Sequence, residues 1–198
     1  MKIISLSGKY IYVTLLILLG FGIRIFFLTW QDISGDEPFS IFYSQKTVLD
    51  ILGMAGYENN PPLHFLLLHF IIKLFGIEPF AVRLPSAVFS AATIFYLYRT
   101  GEKFFSFRTA VFSSLLYIFS TKSIYYAQEA RAYAMLHFFT VASFYYFLAL
   151  IKDPERKKYF YFLLMSNMMM IYTHYMGLFV ILAESVIVLL VDKSRFQK

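Results

Sequence analysis

Ile33-Ser34-Gly35-Asp36-Glu37-Pro38 and its echo Glu58-Asn59-Asn60-Pro61-Pro62-Leu63 lie in the long polar interval of a chain that is otherwise a series of apolar runs. Two adjacent carboxylates therefore stand where a membrane span would give way to water. We expect Asp36 to be the centre of a catalytic site. The alternative is a helix N-cap, with Pro38 in the first turn and both acids favouring the helix dipole. Both interpretations can hold together.

Composition restricts the class of protein. The 198 residues are 59% hydrophobic and 21% aromatic but only 15% charged, which excludes soluble and disordered classes. Apolar runs of near-spanning length predict a single all-α integral membrane domain over 1–198. The absence of cysteine excludes disulfides and thiolate metal sites. We attribute the net charge of +6 to basic cytoplasmic loops, with no nucleic-acid partner.

The apolar runs predict about six transmembrane helices, at approximately 10–30, 81–98, 109–126, 133–151, 159–173 and 175–191. Between the first two, short helices are expected to lie on the membrane surface. One covers 38–44, and Thr47-Val48-Leu49-Asp50 resembles a capping box that opens another, ended by Gly53 or Gly56. The run 63–75 spans roughly 20 Å as a helix, less than the ~30 Å hydrocarbon core. We interpret it as juxtamembrane, and a span is the alternative.

The basic residues predict which side of the membrane each loop faces. With 63–75 outside the bilayer, six spans place four basic clusters on the cytoplasmic side. The clusters are Lys2/Lys9, Arg99/Lys103/Arg108, Lys152/Arg156/Lys157/Lys158 and Lys193/Arg195/Lys198. If 63–75 spans, the N terminus and its two lysines become external and the acidic loop becomes cytosolic. The six-span model fits better, so we predict an external catalytic region at 31–80 in a multi-pass protein of the cytoplasmic membrane.

Four separate segments then meet at the external face. They are the Asp36 loop, Arg83 at the start of the second span, Gln128-Glu129-Ala130-Arg131, and Thr173-His174-Tyr175. Ionisable groups at a membrane boundary are costly unless paired or solvated, so their convergence indicates a site. Arg24 and Glu184 are charged residues inside predicted spans. Arg24 either snorkels or faces a protein interior, and Glu184 has no evident partner.

Four sequence blocks carry a resemblance to a known family. They are Asp36-Glu37 after the first span, Asn60-Pro61-Pro62-Leu63, Arg83-Leu84-Pro85-Ser86-Ala87, and Tyr126-Ala127-Gln128-Glu129-Ala130-Arg131-Ala132-Tyr133. In order and spacing the chain resembles the polyprenyl-phosphate-sugar-dependent glycosyltransferases of the C superfamily, which include protein O-mannosyltransferases and lipid A aminoarabinose transferases. The resemblance implies an external, catalytic Asp-Glu loop and a Pro-Pro-Leu helix at the membrane surface. Members usually exceed twice this length, so the chain looks like an N-terminal portion.

The resemblance also implies the chemistry, which is sugar transfer from a polyprenyl-phosphate carrier to a hydroxyl on a protein, lipid or glycan acceptor. An acceptor hydroxyl needs a carboxylate to take its proton, and Asp36 is the expected base. One base suffices for a single inverting displacement. Arg83 is the first choice for the carrier phosphate, because guanidinium binds phosphate through paired donors. The alternative for Arg83 is a snorkelling anchor.

The remaining candidate substrate-binding residues are Glu37, Asn59, Asn60, Gln128, Glu129, Arg131 and His174. For Glu129 and Arg131 we favour an ion pair that closes a tight loop, and for His174 an interfacial role. Some relatives carry an acid and a lysine at the positions of Asn59 and Asn60, so a divalent metal has no support here and the cofactor is unknown. The rival class is a non-catalytic transporter or truncated partner subunit. A transporter would gather its charges near mid-membrane rather than at one boundary.

Overall fold

A computed structural model describes residues 6–54 and 60–196, and in those ranges the chain is helical without strands. The helices are α1 (Leu6–Ile25), α2 (Glu37–Ser44), α3 (Val48–Gly53), α4 (Leu63–Phe75), α5 (Pro79–Thr100), α6 (Phe107–Ile118), α7 (Thr121–Ala127), α8 (Tyr133–Lys152), α9 (Lys157–Thr173) and α10 (Gly177–Phe196). A π-helical turn, Gly101–Phe105, extends α5. The all-helical class is confirmed.

Within the described residues, two helices are long and apolar enough to cross a bilayer, Pro79–Phe105 and Tyr133–Lys152. Shorter apolar segments are Tyr10–Ile25, Leu63–Phe75, Phe107–Ile118 and Gly177–Leu190. The number of six spans therefore stays a prediction. The first predicted span was placed too far along the chain, because α1 ends at Ile25 and residues 26–29 form turns.

The predicted third span, 109–126, is wrong as one continuous helix. α6 ends at Ile118, and α7 begins at Thr121 after a break at Phe119 and Ser120. The Ser120 hydroxyl accepts a hydrogen bond from the backbone N–H of Ser123 and so caps α7. A serine cap offers the backbone an alternative to a continuing helix ladder, and the apolar composition of the run concealed it.

The two surface helices form where the sequence predicts them. Thr47 caps α3, since its hydroxyl accepts from the N–H of Asp50 and donates to the Asp50 carboxylate. α3 ends at Gly53, whereas Gly56 lies outside the described residues. A cluster of Ile41, Leu68, Val82 and Ala130 joins α2 and α4 to α5 and to the loop before α8. The surface helices are thus packed on one end of the bundle.

Helix α5 is the centre of the bundle, because α1, α4, α6, α7 and α8 all pack against it. α9 packs on α8, and α10 packs on both. The approach of α1 is close at Gly20, where an added Cβ would collide with the side chain of Ile94 and lie 3.3 Å from Ile118 Cγ1. Helix α1 therefore packs directly on α5 and α6 at this point.

Arg24 and Glu184, each within a predicted span, face the protein interior. Arg24 is fully buried, which decides between its two interpretations. Glu184 has two partners that the sequence did not indicate. Its carboxylate contacts the Ser143 hydroxyl and accepts from Asn167 Nδ2 at 2.9 Å, so it links α10 to α8 and α9.

Candidate active site

A buried ion pair between Glu37 and Arg83 forms the base of the site. Arg83 Nη2 lies 2.7 Å from Glu37 Oε2, and Nε lies 2.8 Å from Oε1, so the pair is bidentate. The two side chains are 3% and 4% exposed. Such a pair is strong when its remaining donors and acceptors are also satisfied.

Arg83 uses all five of its N–H donors within the protein. Nη1 donates to the carbonyls of Leu28 and Gln31 at 2.9 and 2.8 Å, and Nη2 also donates to the carbonyl of Asp32 at 3.0 Å. These three carbonyls belong to the segment between α1 and α2. The sequence predicts that Arg83 binds the carrier phosphate or serves as a snorkelling anchor. The guanidinium is buried and has no donor left for a phosphate, which favours a structural role.

Glu37 is held by the backbone as well as by Arg83. Its Oε1 accepts from the N–H of Ala130 at 2.8 Å, and its Oε2 accepts from the N–H of Ser34 at 3.2 Å. Burial by itself would raise the pKa of Glu37, but the hydrogen bonds from Arg83, Ala130 and Ser34 outweigh it and hold the pKa below its ordinary value. Glu37 therefore joins the Asp-Glu loop to the loop before α8. Sequence patterns carry no signal for a contact made by the backbone of Ala130.

Asp36 lies at the surface of the same site. It occupies the N-cap position of α2, but its side chain makes no capping hydrogen bond. Its backbone is helical rather than extended, with φ −90° and ψ −3°, which is unlike an ordinary N-cap. The capping alternative is therefore right about position and wrong about the bond. The side chain is 74% exposed, so its carboxylate can reach a substrate.

Arg131 is the cation beside Asp36. Its Nη2 lies 3.4 Å from Asp36 Oδ2, and Nη1 contacts the Ser40 hydroxyl at 3.3 Å. The buried Nε has no hydrogen-bond partner among the described residues. The guanidinium lies over the rings of Phe39 and Tyr133, 6.0 and 5.6 Å from their centroids. Arg131 is thus positioned by aromatic packing and held only by long polar contacts.

The predicted ion pair between Glu129 and Arg131 is wrong. Glu129 lies beside Tyr125 on α7, where it raises the pKa of the Tyr125 hydroxyl, whereas Arg131 turns to Asp36. Both residues belong to the short connection between α7 and α8, and the packing of α2 against this connection puts Asp36 closer to Arg131. The two charges therefore serve different parts of the site.

Two histidines border Arg131. The ring of His174, between α9 and α10, lies 5.9 Å from the ring of Tyr133. Burial and the charge of Arg131 together lower the pKa of His174. The same two causes lower the pKa of His64, at the start of α4, to about 3. The proximity of His64 to Arg131 has no sequence signal.

The other predicted site residues are less informative. Asn60 is half-buried in the loop that precedes α4, and Asn59 lies outside the described residues. The Nε2 of Gln128 donates to the backbone carbonyl of Arg24 at 3.1 Å. In 6–54 and 60–196, no group of three or more histidines or acids is arranged to hold a metal ion.

A polar cavity of about 210 Å³ opens beside the Glu37–Arg83 pair. Its lining is Phe27, Trp30, Gln31, Ser34, Gly35, Glu37, Arg83, Tyr125, Gln128 and Glu129. An apolar groove of about 620 Å³ runs between α1 and α7 and shares Phe27 and Gln128 with the cavity. The polar end of the site is thus continuous with a surface that a lipid chain can contact.

A protein-family model described as dolichyl-phosphate-mannose-protein mannosyltransferase matches residues 59–198. The matched stretch contains Arg83, Arg131 and His174, whereas Asp36 and Glu37 precede it. No match was found among curated proteins. The match covers more than half of the chain and confirms the resemblance drawn from the four sequence blocks. The chain belongs to the dolichyl-phosphate-mannose-protein mannosyltransferase family.

Proposed function

We propose that this protein is a membrane glycosyltransferase that moves a sugar from a polyprenyl-phosphate carrier to an acceptor hydroxyl on the external face of the cytoplasmic membrane. Family membership supports glycosyl transfer from a lipid-linked donor. The observation that carries the assignment of roles is the contrast between adjacent acids. Glu37 is buried and fully bonded, whereas Asp36 is 74% exposed beside Arg131.

Asp36 is the general base in this proposal. The acceptor hydroxyl attacks the anomeric carbon while its proton passes to the Asp36 carboxylate, and the bond from that carbon to the phosphate oxygen breaks. The carrier leaves as a polyprenyl phosphate with the electrons of the broken bond. One base and one displacement invert the anomeric configuration. Glu37 is excluded from this role because both of its oxygens already accept hydrogen bonds from the protein.

Arg131 replaces Arg83 as the residue proposed to bind the carrier phosphate. Its terminal nitrogens make contacts of 3.3–3.5 Å, longer than a good charge-assisted hydrogen bond, so exchange for phosphate oxygens loses little. His174 adjoins it, and its lowered pKa favours the neutral ring, which can donate one hydrogen bond without adding charge. Phe39 and Tyr133 keep the guanidinium plane in place.

The polar cavity is proposed to take hydroxyl groups of the sugar or the acceptor. It offers Gln31, Gln128 and Glu129 as hydrogen-bonding side chains, and its arginine has no free donor for a phosphate. The apolar groove between α1 and α7 suits a membrane-borne chain, because it meets the cavity at Phe27 and Gln128. Membrane lipids are the surrounding partner, and the acceptor is a protein, lipid or glycan.

The test is sugar transfer from a polyprenyl-phosphate donor in membranes containing Asp36→Asn. Asparagine is nearly isosteric but cannot act as a carboxylate base, so turnover should fall ~10²–10⁴-fold while expression and donor binding stay near wild type. Asp32→Asn is the matched control, since its carboxylate belongs to the same loop and its contact with Arg83 is made by the backbone carbonyl. Wild-type turnover in Asp36→Asn would refute the assignment of the base.

A further inference from the structure

Arg24 is a buried cation that the proposed chemistry does not use. It lies near the end of α1, is fully buried, and has no carboxylate within salt-bridge distance in the described ranges. A buried guanidinium is costly unless its donors are satisfied. The partners that satisfy it therefore show which part of the fold depends on it.

The guanidinium bridges the break between α6 and α7. Its Nη2 donates to the carbonyl of Tyr117, in the last turn of α6, at 3.4 Å and to the hydroxyl of Ser123, in the first turn of α7, at 3.2 Å. Ser123 in turn donates to the Tyr117 carbonyl. A cation at a helix C-terminus offsets the partial negative charge of its unpaired carbonyls. Arg24 thus stabilises the point at which the predicted single span divides.

Arg24 also contacts the other end of α7. Its own backbone carbonyl accepts from Nε2 of Gln128, the C-cap residue of α7, at 3.1 Å. α7 has only seven residues, so one residue of α1 holds both of its ends. An isolated helix of that length is unstable in water, and its position must come from such contacts.

The end of α7 leads directly to the residues that hold the two acids. Ala130, two residues after Gln128, donates its N–H to Glu37 Oε1 at 2.8 Å. Arg131, the next residue, contacts Asp36 and Ser40. A displacement of α7 would therefore move Ala130 and Arg131 away from these partners.

We propose that Arg24 is a positioning residue, which acts through α7 to place Ala130 and Arg131 against the Asp36–Glu37 loop. The expected effect on turnover rests on the proposed function, whereas the expected effect on the position of α7 does not. The Arg24 side chain neither lines the cavity nor contacts Asp36, and only its backbone carbonyl bonds to a lining residue, Gln128, so its effect on the reaction is indirect.

Two buried serines provide a matched comparison. Ser90 on α5 accepts from Arg24 Nε at 2.6 Å, and Ser123 on α7 accepts from Nη2 at 3.2 Å. Each alanine substitution removes one hydroxyl partner of the same guanidinium. Ser123→Ala also removes the hydrogen bond from Ser123 to the Tyr117 carbonyl, so its effect belongs to Arg24 only if Arg24→Gln reproduces it. If Arg24 merely stabilises the bundle, Arg24→Gln should leave α7 in place, as Ser90→Ala does.

The experiment measures the position of α7 and turnover in the same variants. Because the chain has no cysteine, Lys122→Cys on α7 and Lys158→Cys on α9 place spin labels at two exposed sites without background. Pulsed electron paramagnetic resonance of the labelled full chain in lipid nanodiscs gives their distance distribution. Arg24→Gln and Ser123→Ala should broaden or shift it, and Ser90→Ala should leave it unchanged.

In unlabelled protein, turnover at saturating donor should fall about tenfold or more in Arg24→Gln and Ser123→Ala and stay within about twofold in Ser90→Ala. A tenfold loss corresponds to an activation barrier raised by ~1.4 kcal/mol. Arg24→Lys should recover folding but only part of the turnover, because one ammonium cannot span both helices as the planar fork does. Unchanged distances in Ser123→Ala, or equal effects of the two serine variants, would overturn the proposal. A wild-type protein without transferase activity would refute the proposed function. The spin-label distances would still test whether Arg24 positions α7.

Discussion

Two acid–arginine pairs, whose acids are neighbours in the chain, differ in almost every physical property. Glu37 and Arg83 are 2.7 Å apart, bidentate and 3% and 4% exposed. Asp36 and Arg131 are 3.4 Å apart, and Asp36 is 74% exposed. The first pair has its hydrogen-bonding capacity filled by three loop carbonyls and two backbone N–H groups.

The difference teaches that proximity in sequence does not imply a shared role. A buried pair whose donors are all occupied resists exchange with a ligand, because either partner left alone would be an uncompensated charge. A pair with long contacts and an exposed carboxylate exchanges more readily. We therefore assign the Glu37–Arg83 pair to holding the loop and the Asp36–Arg131 pair to the substrate, and the following predictions test this division.

The largest effect is expected from removing the buried cation. Arg83→Ala leaves Glu37 buried without its partner, so stability should fall by about 3–5 kcal/mol. The matched control is Arg99→Ala, which breaks a partly exposed pair with Glu102 at 3.1 Å and should cost less than about 1 kcal/mol. Thermal unfolding in detergent or nanodiscs measures both. A normally stable Arg83→Ala protein with weakened donor binding would restore Arg83 as the phosphate ligand.

A smaller effect is expected at Arg131, the cation beside the exposed Asp36 carboxylate. Arg131→Ala should weaken binding of a polyprenyl-phosphate sugar about tenfold or more, since a hydrogen bond to a charged group contributes ~1.5–3 kcal/mol. Arg131→Lys should retain part of the affinity, because it keeps the charge and loses the paired donors. Lys122→Ala removes another exposed cation nearby on α7 and serves as the control. Equal donor affinity in wild type and Arg131→Ala would place the phosphate elsewhere.

The smallest effect concerns pH on the Arg131 side. Burial and Arg131 hold the pKa of His64 at about 3, below the ordinary 6.5, so between these values the unfolded chain binds a proton that the folded protein does not. The free energy of unfolding is therefore unaffected by His64 above about pH 6.5. It declines as pH falls towards 3, by at most ~1.4 kcal/mol per pH unit. His64→Asn should reduce that slope in unfolding measured between pH 7 and 5. The same slope in both proteins would exclude His64 as its source.

Local chemistry predicted the parts of the fold that depend on neighbouring residues. Three predictions that rest on a few adjacent residues are confirmed: the Thr47 cap, the helix that follows Pro61-Pro62, and the end of α9 at Thr173. The class of the fold follows from composition in the same way. Boundaries that depend on tertiary contacts were missed, as at the break between α6 and α7, where Arg24 lies 93 residues from Tyr117.

The candidate site shows the same limit. Charge and motif predicted which residues belong to the site, but they did not predict which acid pairs with which arginine. Arg83 is joined to Glu37 across 46 residues, and Arg131 is joined to Asp36 across 95. Which acid becomes buried depends on how α2 and the loop before α8 pack on α5, and neither periodicity nor spacing encodes that choice.

The central claim, that Glu37 holds the site and Asp36 reacts in it, is tested most directly by the unfolding free energies of Glu37→Gln and Asp36→Asn. Both changes replace a carboxylate by its amide at almost constant volume. Glu37→Gln should lose about 3–5 kcal/mol because the Arg83 charge stays buried without a counter-charge. Asp36→Asn should lose less than about 1 kcal/mol, since its ion pair is long and its own side chain is largely exposed. Equal losses, or a larger loss for Asp36→Asn, would contradict the division of roles.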